Sequence, residues 1–318
     1  MQDQQDLIET SGRSRSDGEI DLVEVWRAII CGKWVVLGFT LAFLVLSVLY
    51  ALSVPNVYKS TVVLAPTDTS GGGLGGLSRQ LGGLASLAGV NLGAGGGGSK
   101  TAEALEILQS WAFIEEFISE ENIAPLVFAV DRWSASDNTI IYDNELYDSE
   151  SDSWVRVPAK GKMAAPSSWE LYKAFSEYMK VTQDSATGFT SLSVEYFSPA
   201  VAKQWVDKIV MKINYLVQKR DAIEAERNIE FLRLQIGQTP LAAMQSVFYD
   251  LIEEQTKTLM LAKGAQEYVF KTVNSSRVAE IKSNPKRGLI CVIGGTLGVL
   301  VGVFFGLIYG NKKRRKVV

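Results

Sequence analysis

The chain has 318 residues, of which 47% are hydrophobic, and its 32 basic and 35 acidic side chains leave a net charge of −3. It contains no histidine and only two cysteines, Cys31 and Cys291, which excludes Ser-His-Asp and Cys-His catalysis and the His-containing and four-cysteine zinc sites. A G-x-x-x-x-G-K-[ST] phosphate loop is also missing from the sequence. We therefore expect no catalytic residue, no metal and no cofactor.

Residues 1–33 form an N-terminal segment ahead of an uncharged apolar stretch, Trp34–Val54. This stretch exceeds the ~20 apolar residues that a helix needs to cross the hydrocarbon core of a bilayer. A cleaved signal peptide is the alternative, but its apolar run is usually only ~7–15 residues long, and Ala51-Leu52-Ser53 is a poor cleavage site. We predict a retained transmembrane helix at residues 34–54.

The central region, residues 55–287, begins with a predicted strand at Tyr58–Leu64, which is rich in β-branched residues. Glycines interleaved with leucines follow at residues 71–98, and we interpret them as a short adaptable apolar segment between mobile glycine arms, with a plain flexible linker as the alternative. Helical spacing returns at Thr101–Glu121. Its paired glutamates, at positions 115–116 and 120–121, diverge around the helix, which favours a solvated face over acid/base chemistry.

Two further strands are predicted at Thr139–Tyr142 and Trp154–Val157, joined by an acidic connection, Asp143–Ser153. Acidic residues alternate in that connection as they do in a calcium loop, but the glycine and the terminal glutamate of an EF-hand loop are missing. A solvated hairpin tip is the better interpretation. A helix at Ser168–Lys180, capped by Ser167 or Ser168, and a strand at Ser191–Tyr196 follow.

The longest helical signal starts at Ser198-Pro199 and gives a predicted helical extension over about residues 199–270. Ile229, Leu232 and Ile236 belong to its apolar stripe, and Thr239-Pro240 is expected to break or kink the run before the same spacing resumes. One slender helix cannot bury such a stripe alone. We therefore predict that these three residues form an assembly surface, which helices of neighbouring chains could cover.

A second uncharged apolar stretch, Gly288–Gly310, predicts a second transmembrane helix, followed by a basic tail at residues 311–318. Glycine recurs at every fourth position in this stretch, which permits close backbone approach by another helix. Chance is the alternative, since glycine is common in membrane helices. We name this set the glycine ridge, and it comprises Gly294, Gly298, Gly302, Gly306 and Gly310.

Basic residues indicate how the chain crosses the membrane. Arg27, Lys33 and the five basic residues of the tail lie outside the two stretches, and such residues tend to stay in the cytoplasm. Both termini are therefore predicted to be cytoplasmic, with the central region on the other side. The tail can also contact anionic lipid, although a topology signal is the simpler role. No long basic face occurs in the central region, so nucleic acid is not an expected partner.

The chain resembles the Wzz-type chain-length determinants, the polysaccharide co-polymerase family, in a series of motifs that follow one another along most of its length. These motifs are Ile20–Trp26, Tyr58–Leu64, the glycine-leucine segment, Ala104–Ser110, Ser198-Pro199-Ala200, Trp205-Val206, Ile213-Asn214, Glu224–Leu232, Leu251–Gln255, Glu267–Phe270 and Pro285-Lys286-Arg287. Each motif is loose by itself, but their order between two membrane helices is specific.

The resemblance implies an α+β fold in which a membrane-proximal α/β base carries a long extended helix, flanked by two transmembrane helices. It implies a homo-oligomer in the Gram-negative inner membrane, with a periplasmic central domain, that sets how far a Wzy-type polymerase extends a surface polysaccharide such as O-antigen. The growing polysaccharide is a further candidate partner. The family usually has several prolines before the second helix, whereas here Pro285 alone precedes Lys286 and Arg287. Tyrosine autokinase relatives append a kinase after that helix, so a chain ending at Val318 resembles the kinase-free class.

Two other functions compete with this non-enzymatic regulator. A two-helix membrane sensor or ligand-binding protein also has a periplasmic domain, but it needs an output domain, and eight residues after Gly310 are too few for one. A periplasmic hydrolase that uses paired carboxylates has no supporting sequence context.

Overall fold

The computed structural model describes residues 33–67, 97–158, 161 and 163–314. They divide into two units, one with both terminal helices and one comprising Pro55–Asn284. Residues 1–32, most of the predicted glycine-leucine segment and the end of the basic tail lie outside the described residues. The helices are α1 Lys33–Ser53, α2 Gly97–Gln109, α3 Trp111–Glu120, α4 Ala124–Phe128, α5 Ser168–Tyr178, α6 Pro199–Gln238, α7 Ala242–Gly264 and α8 Arg287–Arg314. The strands are β1 Tyr58–Pro66, β2 Val130–Ser134, β3 Thr139–Tyr142, β4 Tyr147–Asp148, β5 Ser153–Trp154, β6 Met179–Gln183, β7 Thr190–Tyr196 and β8 Phe270–Asn274.

The first unit consists of α1 and α8. Both helices are long and apolar enough to cross a membrane, with mean hydropathies of 2.5 for α1 and 2.4 for Arg287–Ile308. The two helices pack against each other, and Phe39 stacks on Phe305 with ring centroids 5.1 Å apart.

The second unit is built on a four-stranded antiparallel sheet in the order β6-β7-β1-β8. β1 alternates as the sequence predicts, with Ser60, Val62 and Leu64 buried, because successive side chains of a strand point to opposite faces. The first half of α6 covers β1 and β7 through buried residues such as Trp205 and Ile209. The core therefore lies between the sheet and this helix.

The helical spacing predicted over Thr101–Glu121 is present, but with a break that the sequence interpretation did not include. The segment forms two helices, α2 and α3, that separate at Ser110. The Ser110 hydroxyl donates to the Ile107 carbonyl at 2.7 Å and accepts from the Phe113 amide at 3.3 Å. Serine thus ends one helix and caps the next, because its side chain supplies the hydrogen bonds that the helix ends lack.

The predicted hairpin of Thr139–Tyr142 and Trp154–Val157 is wrong. β3 pairs with β2, and β5 pairs with β4, so two short hairpins replace one long one. The Asp148 carboxylate accepts a hydrogen bond from the Glu150 amide at 3.0 Å, and Asp152 adopts a positive φ of 51°. Asp tolerates this conformation and favours such turns, which lets the chain reverse locally between β4 and β5.

Helix α5 ends at Tyr178, two residues before its predicted end. Its first turn carries a full capping box: the Ser167 hydroxyl accepts from the Glu170 amide, and the Glu170 side chain accepts from the Ser167 amide. Arg156 pairs with the same Glu170 carboxylate at 2.8 Å. The start of α5 is thereby tied to the segment that follows β5.

The predicted long helix is a helical hairpin of α6 and α7. The first helix ends at Gln238 and the second begins at Ala242, so the break falls at the predicted Thr239-Pro240. Gln245 donates to the Thr239 carbonyl at 2.8 Å across the turn. The helical part ends at Gly264 instead of continuing to residue 270, and Phe270 already belongs to β8. The fold is therefore α+β, with a long helix and two candidate membrane helices at its ends, as predicted.

Candidate functional sites on the membrane helices and the helical hairpin

Three residues of the glycine ridge, Gly294, Gly298 and Gly302, lie against α1. A Cβ atom at Gly298 would lie 2.9 Å from the Thr40 Cα, and one at Gly302 would lie 2.9 Å from the Val36 Cα. Both distances are shorter than van der Waals contact, so a side chain at either position would force the helices apart. Within the described residues, α1 of the same chain is therefore the helix that approaches these glycines closely.

The rest of the glycine ridge follows the same line along α8. A Cβ at Gly294 would collide with the Ser47 side chain, whose hydroxyl donates to the Ile290 carbonyl at 2.9 Å. Gly306 is buried and Gly310 lies near the end of α8. The hydrogen bond from Ser47 to Ile290 joins the two helices, and a polar contact of this kind adds to close packing in a membrane.

Pro285 and Lys286 directly precede α8, which begins at Arg287. The Arg287 amide donates to the Pro285 carbonyl at 2.9 Å, and the Leu289 amide donates to the Lys286 carbonyl at 2.9 Å. The structure thus places this motif at the boundary of the membrane helix, where it begins the helix.

The predicted assembly residues Ile229, Leu232 and Ile236 are half-buried in the helical hairpin. Hydrogen bonds from α6 to α7, such as Asn228 to Gln255 at 3.3 Å, and an ion pair from Lys263 to Glu226 at 2.7 Å show that the two helices run antiparallel. The stripe is on the side of α6 that packs against α7. α7 of the same chain thus packs along this part of α6, and the assembly surface of Ile229, Leu232 and Ile236 stays a prediction.

A different set of apolar residues points outward from the hairpin. Phe231 and Leu234 are 59% and 61% exposed, and each follows a stripe residue by two positions, roughly 200° round the helix. Ile223 is 47% exposed on the same side. We name Ile223, Phe231 and Leu234 the outer face of α6. The sequence analysis did not single out Phe231 or Leu234, although their offset from the stripe is the signal that identifies them.

The return segment after α7 is held against α6 by Asn214. The buried Asn214 side chain accepts from the Val269 and Phe270 amides at 2.8 and 2.9 Å and donates to the Phe270 carbonyl at 3.1 Å. A buried amide that is satisfied in this way fixes the chain in one register. Two separate motifs of the sequence, Ile213-Asn214 and Glu267–Phe270, thus meet in space.

Lys100 joins α2 to the same region. Its ammonium contacts the Asp221 carboxylate at 2.8 Å, and the Tyr268 hydroxyl donates to the same carboxylate oxygen at 2.9 Å. Burial opposes the charge of Lys100, but the hydrogen bond and the charge of Asp221 outweigh it and raise the Lys100 pKa. Burial, with a smaller effect of the Asp221 hydrogen bond, raises the pKa of Tyr268.

We expect the Lys100→Met substitution to lower the free energy of unfolding of the purified chain by about 1 kcal/mol at pH 8. This is below the usual value for a hydrogen bond to a charged group because about a third of the Lys100 side chain remains exposed. Since the folded pKa lies above the ordinary value of 10.5, the contribution is complete below that pH and is lost as the pH rises through the folded pKa. Thermal unfolding in a pH series from 8 upward through the folded pKa measures both effects, and a deficit that stays constant over the whole series would contradict the ion-pair interpretation.

The glutamates that could suggest acid/base chemistry form ion pairs with α6. Lys212 contacts Glu116 at 3.4 Å and Glu120 at 2.5 Å, and Lys208 contacts Glu121. The ammonium of Lys212 lowers the pKa of Glu120. Among the described residues, no group of three or more acidic or cysteine side chains could hold a metal ion. These carboxylates therefore dock α3 on α6.

The comparisons with known proteins agree with the sequence motifs. A full-length bacterial polysaccharide co-polymerase is 12% identical, with a TM-score of 0.38 and coverage of 92% of this chain and 99% of that one. A fragment of WzzB, a polysaccharide co-polymerase from Salmonella Typhimurium, is 12% identical, with a TM-score of 0.29 and coverage of 72% and 100%. No curated protein matches the chain. Residues 18–121 match the family model described as Wzz, chain length determinant protein, and this part of the chain contains several of the motifs in which the sequence resembles that family.

Proposed function

We propose that this chain is a non-enzymatic inner-membrane regulator of the length of a surface polysaccharide, O-antigen or a similar polymer. The observation that carries the proposal is the match of residues 18–121 to the chain length determinant family. Two apolar helices at the ends of the described chain support a two-pass membrane protein. The polymer-forming chemistry then belongs to a separate Wzy-type polymerase.

The regulator acts as a homo-oligomeric scaffold. The outer face of α6 supports this part of the proposal, because exposed Phe231 and Leu234 on a helix indicate a surface that a partner covers. α7 adds Met244, Val247 and Leu251, which are 40–55% exposed and recur at intervals of three and four. A second copy of the chain is the simplest partner, since equivalent faces of several copies can close a symmetric ring.

We propose no enzymatic activity because the candidate carboxylates make structural contacts. The paired glutamates of α3 contact lysines of α6, and the Asp148 carboxylate accepts from the Ser151 hydroxyl and the Glu150 amide within a turn. Catalytic carboxylates instead face a cleft, with pKa values matched to proton transfer.

Deleting the gene and separating the surface polysaccharide on a gel tests the function directly. We expect the polymer to persist but to lose its preferred length, and the full-length gene to restore that length. Membranes that lack the polymerase provide the second measurement. Formation or cleavage of sugar linkages by this chain alone would contradict the scaffold proposal.

We expect residues 55–287 to be periplasmic and both termini cytoplasmic. A Ser149→Cys substitution puts a thiol at an exposed position of the β4–β5 turn, in a chain whose Cys31 and Cys291 are replaced by serine. An impermeant thiol reagent should label it once the outer membrane is permeabilised. A cysteine at Val318 is the matched control and should react only after the inner membrane is opened. The opposite pattern of labelling would reverse the topology.

A further inference from the structure

Three aromatic side chains lie in a row on the surface where α3 and α5 meet. We name Trp111, Trp169 and Tyr172 the aromatic strip. The two indole rings pack edge to face with centroids 5.3 Å apart, and the Trp169 and Tyr172 rings are 5.4 Å apart at 34°. Each contact has the centroid spacing and the tilt that aromatic pairs favour. The three rings therefore form one continuous surface.

Hydrogen bonds hold the aromatic strip in place. The Trp111 indole N–H donates to the Ser168 hydroxyl at 2.7 Å, and the Tyr172 hydroxyl donates to the Gln109 carbonyl at 3.2 Å. Both tryptophans lie in the first turns of capped helices, α3 behind Ser110 and α5 behind the Ser167 capping box. The rings are therefore fixed in orientation before any ligand binds, which lowers the entropic cost of binding.

The tryptophans are nevertheless open to solvent. Trp111 is 45% exposed and Trp169 is 54% exposed, although tryptophan is usually among the more buried residues of a protein. Deeper in the structure, Phe117 and Phe175 form the core between α3 and α5, with their rings 5.5 Å apart. The exposed indole surface is thus not needed to pack α3 on α5.

We propose that the aromatic strip is a binding subsite for sugar units of the polysaccharide, an inference that rests on the proposed function. One face of a pyranose ring presents mainly C–H groups, which carry a partial positive charge and stack on the electron-rich face of an indole. The hydroxyls at the ring edge need hydrogen-bond partners. The indole N–H of Trp169 donates to no atom among the described residues, so it is available to a sugar hydroxyl.

The size of the aromatic strip favours a sugar over a protein partner. A stable protein interface buries about 800 Å² on each side, whereas here the apolar surface ends within one helical turn. Glu115 follows Trp111 by four residues and Lys173 follows Trp169 by four, and both are exposed and charged. A small aromatic surface with charged neighbours therefore suits a single sugar chain better than a protein interface.

Binding of polysaccharide by the purified full-length chain in detergent tests the inference. The probe is the surface polysaccharide released by mild acid from the source bacterium, with dextran as the unrelated polymer. We expect the Trp111→Ala, Trp169→Ala double variant to bind the released polysaccharide about tenfold more weakly or worse, because two stacking surfaces are lost. Trp169→Tyr keeps an aromatic ring and should retain most of the affinity. Phe189→Ala removes an aromatic residue of similar exposure, 40%, in the β6–β7 turn, and should change nothing.

Controls separate this inference from its alternatives. Circular dichroism and thermal unfolding must show that the double variant is folded. If it is not, Trp169→Ala alone carries the test and should still weaken binding of the released polysaccharide. Unchanged polysaccharide binding in folded alanine variants would overturn the inference. The inference would also fail if these variants lost oligomers, or binding to anionic lipid vesicles, while polysaccharide binding stayed the same. If gene deletion shifts polymer length while these variants bind normally, the proposed function stands and only the subsite is wrong.

Discussion

Replacing Gly298 and Gly302 together by leucine is expected to separate the two membrane helices while the chain still inserts. At both positions the first side-chain atom would lie 2.9 Å from a Cα of α1, so each leucine must push backbone away, at a cost of about 1–3 kcal/mol per site. Cysteines at Phe39 and Phe305, whose rings stack, report the separation. We expect their oxidative crosslink to be largely lost and the preferred polymer length to change.

Gly295→Leu is the matched control. It lies in the same helix, but a Cβ there would meet nothing within 4 Å. Insertion, crosslinking and polymer length should therefore stay as in the unchanged protein. If Gly298→Leu, Gly302→Leu behaves like this control, the regular spacing of the glycines has no role in packing and reflects their general frequency in membrane helices.

Substituting both Ile229 and Leu232 by aspartate is the second change with a large expected effect. The two side chains are half-buried on the side of α6 that packs against α7, so each charge must either lose part of its hydration or open the hairpin. We expect the free energy of unfolding to fall by about 1–3 kcal/mol per site. Polymer should still form because the polymerase is intact, but its length distribution should broaden or lose its preferred value. Thermal unfolding and a polysaccharide gel measure the two effects.

The outer face of α6 provides the comparison that separates folding from assembly. Aspartate at Phe231 and Leu234 replaces side chains that are 59% and 61% exposed, so thermal unfolding of the isolated chain should change little. If copies of the chain meet there, the oligomer should dissociate and polymer length should lose its control. Oligomers that survive these substitutions, measured by light scattering in detergent, would place the assembly contact elsewhere on the chain.

Local patterns in the sequence account for most of the secondary structure. The alternation in Tyr58–Leu64 gives β1, the long three-and-four spacing gives α6 and α7, and the proline at position 240 marks their break. Each of these features depends only on near neighbours, because the period of the apolar residues and the loss of a backbone donor act within one or two turns.

The sequence interpretation failed to predict which strands pair and where one helical run divides. The pattern of Thr139–Tyr142 predicts a strand but not that β2 is its partner, and the single helical run at Thr101–Glu121 hides a serine whose side chain ends one helix and starts the next. The strands β2, β4, β6 and β8 were not predicted. Strand pairing depends on register and turn geometry as well as on local propensity.

The sequence by itself determined two apolar helices, an α+β central region, a long helical segment with a break, and a Wzz-type family resemblance. It also determined that glycines at every fourth position of the second apolar helix form one inclined row of neighbouring positions, because residues four apart are adjacent on a helix surface. Only the tertiary structure decided what covers each face: α1 lies against Gly294, Gly298 and Gly302, and α7 packs against α6. The same holds for the aromatic strip, since Trp111 and Ser168 are 57 positions apart in the chain. Such contacts depend on how distant elements pack, and a local period contains no information about them.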